Sequence, residues 1–301
     1  MAKILVTGVA VIDFVFQMDE FPDRPEKYRT HEAVISGGGC AANAAVAIAR
    51  LGGEAMLSSR LGADAVGDMI VQDIKNEGVD CNLVKRFQGA RSSFSSVYLN
   101  RAGERQIMNF RDPELSMSGE WLARLIPDDL DAILADTRWP QGAVVAMEAA
   151  KKAGIPGIMD AEAPVDDARE ALKLASHVAF SAQGLADYSG SSDPKQGLET
   201  VAKEIGGWLC FTNGEFGVEI LSANKSDHIP AFPVEAVDTL GAGDVWHGAF
   251  ALKLAEDAAE EEAILFANAA AAIKCTQLGG RLGTPDRNAV EEFMKGYEIC
   301  S

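Results

Sequence analysis

The chain is poor in cysteine, in histidine and in positive charge. Its five cysteines (Cys40, Cys81, Cys210, Cys275 and Cys300) are scattered over 301 residues with no CxxC pair. That argues against a disulfide frame or a zinc site and predicts reduced thiols in the cytoplasm. No uncharged apolar run approaches the roughly 20 residues that span a bilayer, so no membrane partner is expected. The opening Met1-Ala2-Lys3-Ile4-Leu5-Val6-Thr7-Gly8 has neither the length nor the cleavage pattern of a signal peptide. Lys and Arg number 27 against 45 Asp and Glu, a formal net charge of −18. Without a clustered cationic surface, nucleic acid is not an expected partner. Small anions are a different matter, because a few local cations govern a pocket whatever the net charge. There is also no GxxxxGK[ST] loop and no HExxH, and Gly37-x-Gly39-x-x-Ala42 is a poor dinucleotide fingerprint.

What is present is an ordinary globular composition, 48% hydrophobic and 24% charged. Short apolar runs predict strands at Ile4–Thr7, Ala55–Ser59, Ala132–Ala135, Gly157–Asp160, His177–Phe180, Trp208–Thr212 and Val218–Leu221. Amphipathic helices are predicted at Ala44–Leu51, Val66–Glu77, Gly142–Ala153 and Pro194–Ile205, and a pair of alanine-rich helices from Gly241 to Cys275 with a turn around Asp257. This alternation predicts an α/β fold with a mainly parallel sheet. Two segments break it. Residues 11–35 read as extended, with Pro22 and Pro25 opposing helix, and residues 92–110 read as two strands around Asn100-Arg101-Ala102-Gly103. Both are expected to form a small β lid inserted in a single 1–301 domain. Such a lid excludes water from an active site, and its edges are expected to pair across a homodimer.

The most informative stretch is Asp238-Thr239-Leu240-Gly241-Ala242-Gly243-Asp244, running into the helical pattern from Val245. Small residues at a loop-to-helix junction let backbone N–H groups approach an anion, and the helix N-terminus adds partial positive charge. Asp244, in the first turn, is placed to accept a proton from a hydroxyl held beside that anion. His247 reads as a helix packing or polar-contact residue. Cys40, at a Gly-rich helix start, reads as a small filler or a thiol of lowered pKa.

This heptapeptide resembles the second signature of the ribokinase/PfkB family of carbohydrate kinases, Asp-Thr-x-Gly-Ala-Gly-Asp. Gly38-Gly39-Cys40-Ala41-Ala42-Asn43, continuing to Leu51-Gly52, resembles the first signature; Gly62-Ala63-Asp64 with Gly67 and Phe211-Thr212-Asn213-Gly214-Glu215-Phe216-Gly217 match further blocks, in family order from residue 4 to about 286. The resemblance implies a ribokinase-like three-layer sandwich with a small β lid, and ATP-dependent transfer of a γ-phosphoryl group to a sugar hydroxyl. It implies Asp244 as the base, with the backbone N–H groups of Gly241, Ala242 and Gly243 holding the developing charge. Asp13, Gly39 and Asn43 would bind sugar hydroxyls; Thr212, Gly214, Gly217 and Asn268 would line the nucleotide side.

Three departures qualify that expectation. Many members carry Asn-x-x-Glu to organise Mg2+, and the matching run here is Ser181-Ala182-Gln183-Gly184, so the metal ligands stay unassigned, with Asp160 and Glu162 as nearby candidates. Leu240 stands where the family's monovalent-cation site frequently has threonine. Cys40-Ala41 replaces the Lys-Gly of ribokinase, so ribose need not be the substrate. The runs at Gly103–Asn109, Ala135–Trp139 and Lys274–Arg281 are similar to the branch that phosphorylates 6-deoxy-6-sulfofructose. In that branch Lys27, Asn109 and Arg138 occupy positions suited to a terminal sulfonate, and a lysine, an arginine and an amide are sensible partners for an oxyanion. The expected substrate is therefore a ketohexose derivative with an anionic C6 group. The alternatives are a neutral sugar, a sugar phosphate, or a catalytically weak sensor of the same fold.

Overall fold

Ile4 and Val6 point to one side of the first strand and Leu5 to the other, and the two sets are buried in different cores. A strand that is apolar on both faces belongs in the middle of a sheet covered on both sides. The computed structural model describes residues 1–101, 104–222 and 225–300 and places that strand there. The elements in chain order are β1 (Lys3–Thr7), β2 (Val11–Gln17), β3 (Glu32–Gly38), α1 (Cys40–Arg50), β4 (Glu54–Gly62), α2 (Ala65–Asn76), β5 (Asp80–Phe87), β6 (Phe94–Leu99) and β7 (Arg105–Phe110). After them come β8 (Ala132–Asp136), α3 (Pro140–Ala153), β9 (Gly157–Ala161), α4 (Arg169–Leu174), β10 (His177–Ser181), α5 (Ala182–Ser189), α6 (Pro194–Val201) and β11 (Trp208–Thr212). The chain ends with β12 (Val218–Ser222), β13 (Lys225–Ile229), α7 (Ala242–Ala255), α8 (Glu260–Cys275) and α9 (Arg287–Cys300).

The main sheet has nine strands in the order β13-β12-β11-β10-β9-β8-β1-β4-β5. It is parallel from β11 to β5, and β12 and β13 are antiparallel at one edge. Helices α1, α2, α7 and α8 bury one face, and α3, α4, α5 and α6 the other, giving three layers with a core on each side of the sheet. A second sheet, β3-β2-β6-β7, stands apart as the small β layer. The extended stretch 11–35 resolves into β2 and β3, paired antiparallel to each other, with β6 parallel to β2. Of the expected hairpin turn, Ala102 and Gly103 lie outside the described residues; beside them Asn100 N–H donates to Glu104 O at 3.1 Å.

Two helix boundaries differ from expectation. Helix α1 begins at Cys40, not Ala44, directly after Gly39 at its N-cap. The glycine run masks the start, but Ala41 and Ala42 are strong helix formers. Helix α6 stops at Val201, short of Ile205, because the approaching Gly206-Gly207 pair removes the incentive to propagate. Among the described residues no helix is long and apolar enough to cross a membrane.

Candidate active site

Strand order reverses at β1, which pairs with β4 on one side and with β8 on the other. In open parallel sheets such a switch point opens a crevice beyond the carboxyl ends of the strands. Asp136, the last residue of β8, sits in that crevice and is buried. Its carboxylate accepts backbone N–H groups from Val9 (2.8 Å), Ala41 (3.1 Å) and Arg138 (2.9 Å), tying β1, the start of α1 and the β8 exit together. Burial still pushes its carboxyl above the ordinary value. No local pattern in the sequence marks Asp136 for this part.

Opposite stands the start of α7. Gly241 adopts φ 77° as its N-cap, a left-handed conformation that disfavours any side chain. The first N–H groups of a helix lack intrahelical acceptors. That of Ala242 closes back on the Thr239 carbonyl at 3.2 Å, so of the three expected anion-holding donors it is already engaged. Asp244, one turn in, accepts from Asn43 Nδ2 of α1 at 2.7 Å. Burial raises the Asp244 carboxyl above the ordinary range, the Asn43 bond opposes this, and the charge of Glu162 adds to it. Asn43 is 7% exposed, and its Oδ1 has no partner among the described residues, leaving a buried acceptor beside Asp244 for a ligand hydroxyl.

Acidic groups crowd this floor. Cys40 Sγ and carboxylate oxygens of Asp160 and Asp244 lie within 4.8 Å of one another. Burial, opposed by His247 and reinforced by Asp244, Glu162 and Asp136, pushes the Asp160 carboxyl up to about 7. Burial and the surrounding carboxylates push the Cys40 thiol well above its ordinary value, so it is a filler and not an activated thiol. His247, buried on α7, places Nδ1 2.7 Å from Gly243 O and Nε2 3.2 Å from Ala179 O and 3.5 Å from Asp160 Oδ1. It is the polar-contact residue expected, and it braces the turn that carries Asp244.

On the lid side, Asp13 of β2 is hydrogen-bonded by Ser95, and Asn109 Nδ2 donates to the same Ser95 hydroxyl at 3.1 Å. Burial raises the Asp13 carboxyl. Gly39 is the N-cap of α1 at φ 93°, packed against the Val9 carbonyl. Arg138 lies at the exit of β8, 16% exposed in its side chain, and pairs with Glu162 at 2.8 Å. Lys27 is on the exposed connection between β2 and β3, and none of the described contacts joins it to Asn109 or Arg138. A further buried cation, Arg281, pairs with Asp73, and its Nη1 has no partner among the described residues. No spacing signal marks it, because Asp73 is two hundred residues away in the chain. A cavity of about 610 Å3 opens between the far end of the lid and the Asp238 loop, lined by Gln17, Asp19, Leu99, Asp238 and Thr239, but Asp244 is not in its wall.

The nucleotide-side residues lie along the next strands. Thr212 ends β11, and Gly214 to Gly217 form a tight turn into β12, closed by Gly217 N–H on Gly214 O at 3.1 Å. Asn268, also expected on the nucleotide side, is anchored to the protein. It is 6% exposed, its Oδ1 accepts from Trp246 Nε1 at 2.8 Å and its Nδ2 donates to Pro230 O at 3.0 Å. Each end of its amide makes one bond to the protein, which leaves one N–H and one oxygen lone pair over.

The implied metals fit this chain poorly. Gly184 occupies the position of the family's magnesium-organising glutamate, and a Cβ there would lie 1.9 Å from Ala161 O, so the helix packs too closely for any side chain. Ser181 instead caps α5 through Gly184 N at 2.9 Å. Of the nearby candidates, Glu162 faces Arg138 and Asp160 faces His247. A monovalent cation fits no better: Leu240 offers no side-chain oxygen, and the carbonyl and carboxylate of Asp238 are both met by the Lys274 ammonium.

Known proteins resemble this chain over nearly its whole length. The model of the pfkB family of carbohydrate kinases matches residues 1–287. The chain is 28% identical to the ribokinase of Bacillus subtilis (strain 168), over 98% of this chain and 100% of that one. It is 30% identical to fructokinase-1 of Oryza sativa subsp. japonica, over 86% and 88%. Among solved structures, Arabidopsis thaliana ribokinase complexed with ribose and ATP superposes with a TM-score of 0.84 at 25% identity, covering 98% of this chain and 99% of that one. The chain belongs to the pfkB family of carbohydrate kinases and is a sugar kinase of ribokinase-like fold.

Proposed function

We propose that this sugar kinase transfers the γ-phosphoryl group of ATP to the C1 hydroxyl of a ketohexose derivative that carries an anionic C6 group, 6-deoxy-6-sulfofructose being the best candidate. The fructokinase relative supports the ketohexose. The observation that carries the anion is Arg138, a half-buried guanidinium held at the strand exit inside an otherwise acidic crevice. In this reading Asn109 and Lys27 reach the same C6 group from the lid side when it closes over the sugar. Asp13, Gly39 and the free Oδ1 of Asn43 take the ring hydroxyls.

The Asp244 carboxylate accepts the C1 hydroxyl proton as the sugar oxygen bonds to the γ-phosphorus and the bond to the β-phosphate oxygen breaks, releasing ADP. Asn43 fixes the carboxylate that does this. Gly241 and Gly243 N–H groups, at the positive end of α7, hold the charge on the transferred group, with Ala242 closing the turn that aims them. Thr212, Gly214 and Gly217 border the ATP phosphates. Mg2+ bound with the triphosphate would neutralise its charge, and the run Ser181-Ala182-Gln183-Gly184 offers it no carboxylate. Positioning and electrostatics of this kind supply most of the catalysis of phosphoryl transfer.

The Arg138–Glu162 pair also favours a second reading, a neutral ketohexose, because Glu162 already offsets the guanidinium. A substrate panel separates the two. Fructose, fructose 6-phosphate and sulfofructose are compared on wild type, Lys27→Ala and Arg138→Ala by ADP release. Losses confined to anionic sugars support the anion pocket; equal losses, or a wild-type preference for fructose, refute it. We further assign the protein to the cytoplasm, supported by free Cys40, Cys81, Cys210 and Cys275, and to a homodimer through the lid. Exposed Ile35, Ile107 and Met108 on the edge strands β3 and β7 support the dimer, and sedimentation equilibrium tests it.

A further inference from the structure

Lys274, in the last turn of α8, is 0% exposed. A lysine is almost never buried this completely without anionic partners. Its ammonium donates to the Asp238 carbonyl oxygen at 2.6 Å and lies 3.4 Å from Asp238 Oδ2. The same carboxylate accepts from Leu240 N–H at 2.9 Å, Gly279 N–H at 3.0 Å and Gly280 N–H at 2.8 Å. Val237 and Asp238 N–H groups both close on the Cys275 carbonyl, at 2.8 and 3.1 Å. One positive charge therefore joins the end of α8, the Gly279-Gly280 loop and the strand of chain that turns at Gly241 into α7. The negative end of the α8 dipole favours a cation at this spot as well.

We propose that the Lys274 ammonium is a built-in monovalent cation, a positioning group that holds the Asp238 loop, and through it the α7 N-terminus, in the anion-receiving form without bound potassium. An ammonium and a potassium ion carry the same charge at nearly the same size, and both are satisfied by a carbonyl and a carboxylate oxygen. Where a cation-dependent kinase would recruit the ion from solution, this chain has tethered it, and the leucine at position 240 is tolerated because no oxygen cage has to be completed. The inference rests on the kinase family and not on the identity of the sugar.

The test measures kcat and KM for ATP in potassium, sodium and tetramethylammonium chloride at fixed ionic strength, with whichever sugar is turned over fastest, and thermal unfolding of the ligand-free protein in the same salts. Wild type should be indifferent to the cation in both readouts. Lys274→Ala leaves a cation-sized hole beside a carboxylate that keeps only its backbone N–H partners, and should lose about tenfold or more in kcat/KM for ATP. Potassium or methylammonium should restore it and raise its unfolding temperature. Lys274→Met fills the hole and should show the loss without the rescue. Potassium activation of wild type would overturn the proposal, and that arm needs no variant to fold. So would a Lys274→Ala protein that keeps full activity, or one that neither potassium nor methylammonium restores in activity or in melting.

Discussion

Replacing Asp160 by asparagine removes a titrating group from the interior while keeping its shape and an oxygen for His247. Burial and the neighbouring Asp244, Glu162 and Asp136, against the opposing His247, lift its carboxyl from 3.8 to about 7. At about 1.4 kcal/mol per unit, ionising Asp160 inside the fold costs about 4 kcal/mol. The sign follows from the raised value. The native state holds this proton after the unfolded chain has lost it, so the group's contribution is fully present below pH 3.8, and it is lost as pH rises through about 7. Asp160→Asn does not suffer that decline. Its stability relative to wild type should climb with pH, at about 1.4 kcal/mol per pH unit between the two values, and level off above pH 7. Urea unfolding of both proteins at a series of pH values, followed by tryptophan fluorescence, gives the difference directly. A difference that stays constant with pH would refute the assignment of Asp160 as a buried carboxyl of strongly raised pKa.

Three further outcomes follow from the same geometry. Asn43→Ala removes the 2.7 Å bond that holds the Asp244 carboxyl down, so the acidic limb of the kcat/KM profile should move to higher pH; an unmoved limb contradicts that pairing. Gly184→Ala drives a Cβ to 1.9 Å from Ala161 O and should destabilise by about 1–3 kcal/mol, seen as a lower melting temperature; an unchanged melt would mean that α5 shifts freely. Cys40, kept as a protonated thiol by burial, should react with iodoacetamide at neutral pH far more slowly than a free thiol, and rapid alkylation with loss of activity would contradict that environment.

Much of the fold was legible because it rests on local patterns. The seven predicted strands are all present, since short runs such as Ala132–Ala135 are apolar on both faces and can only be central strands. The lid was legible from its turn residues and prolines. In the site, the Asp238–Asp244 loop was readable because glycine and a helix start are local signals. What stayed hidden depends on contacts across the chain: the Asp136 carboxylate binding Val9 and Ala41, Arg281 reaching Asp73, and Lys274 reaching Asp238. A lysine at the end of an alanine-rich helix looks like a solvated C-terminal charge, and only the packing of α8 against the Asp238 loop buries it. The bonds of Asn268 to Trp246 and Pro230 were hidden for the same reason.

In the proposed mechanism Asp244 takes the proton of the acceptor hydroxyl. The most direct test of that claim is the rate of ADP release by Asp244→Asn, measured with its best sugar across pH beside sugar binding by calorimetry. Asparagine still offers an oxygen to Asn43, so the site should hold its shape and its affinity for sugar. Turnover should fall by about 10²–10⁴-fold, and the acidic limb of the wild-type profile, raised above the ordinary carboxylate range, should vanish. Near-normal turnover, or an acidic limb that survives the substitution, would contradict the claim.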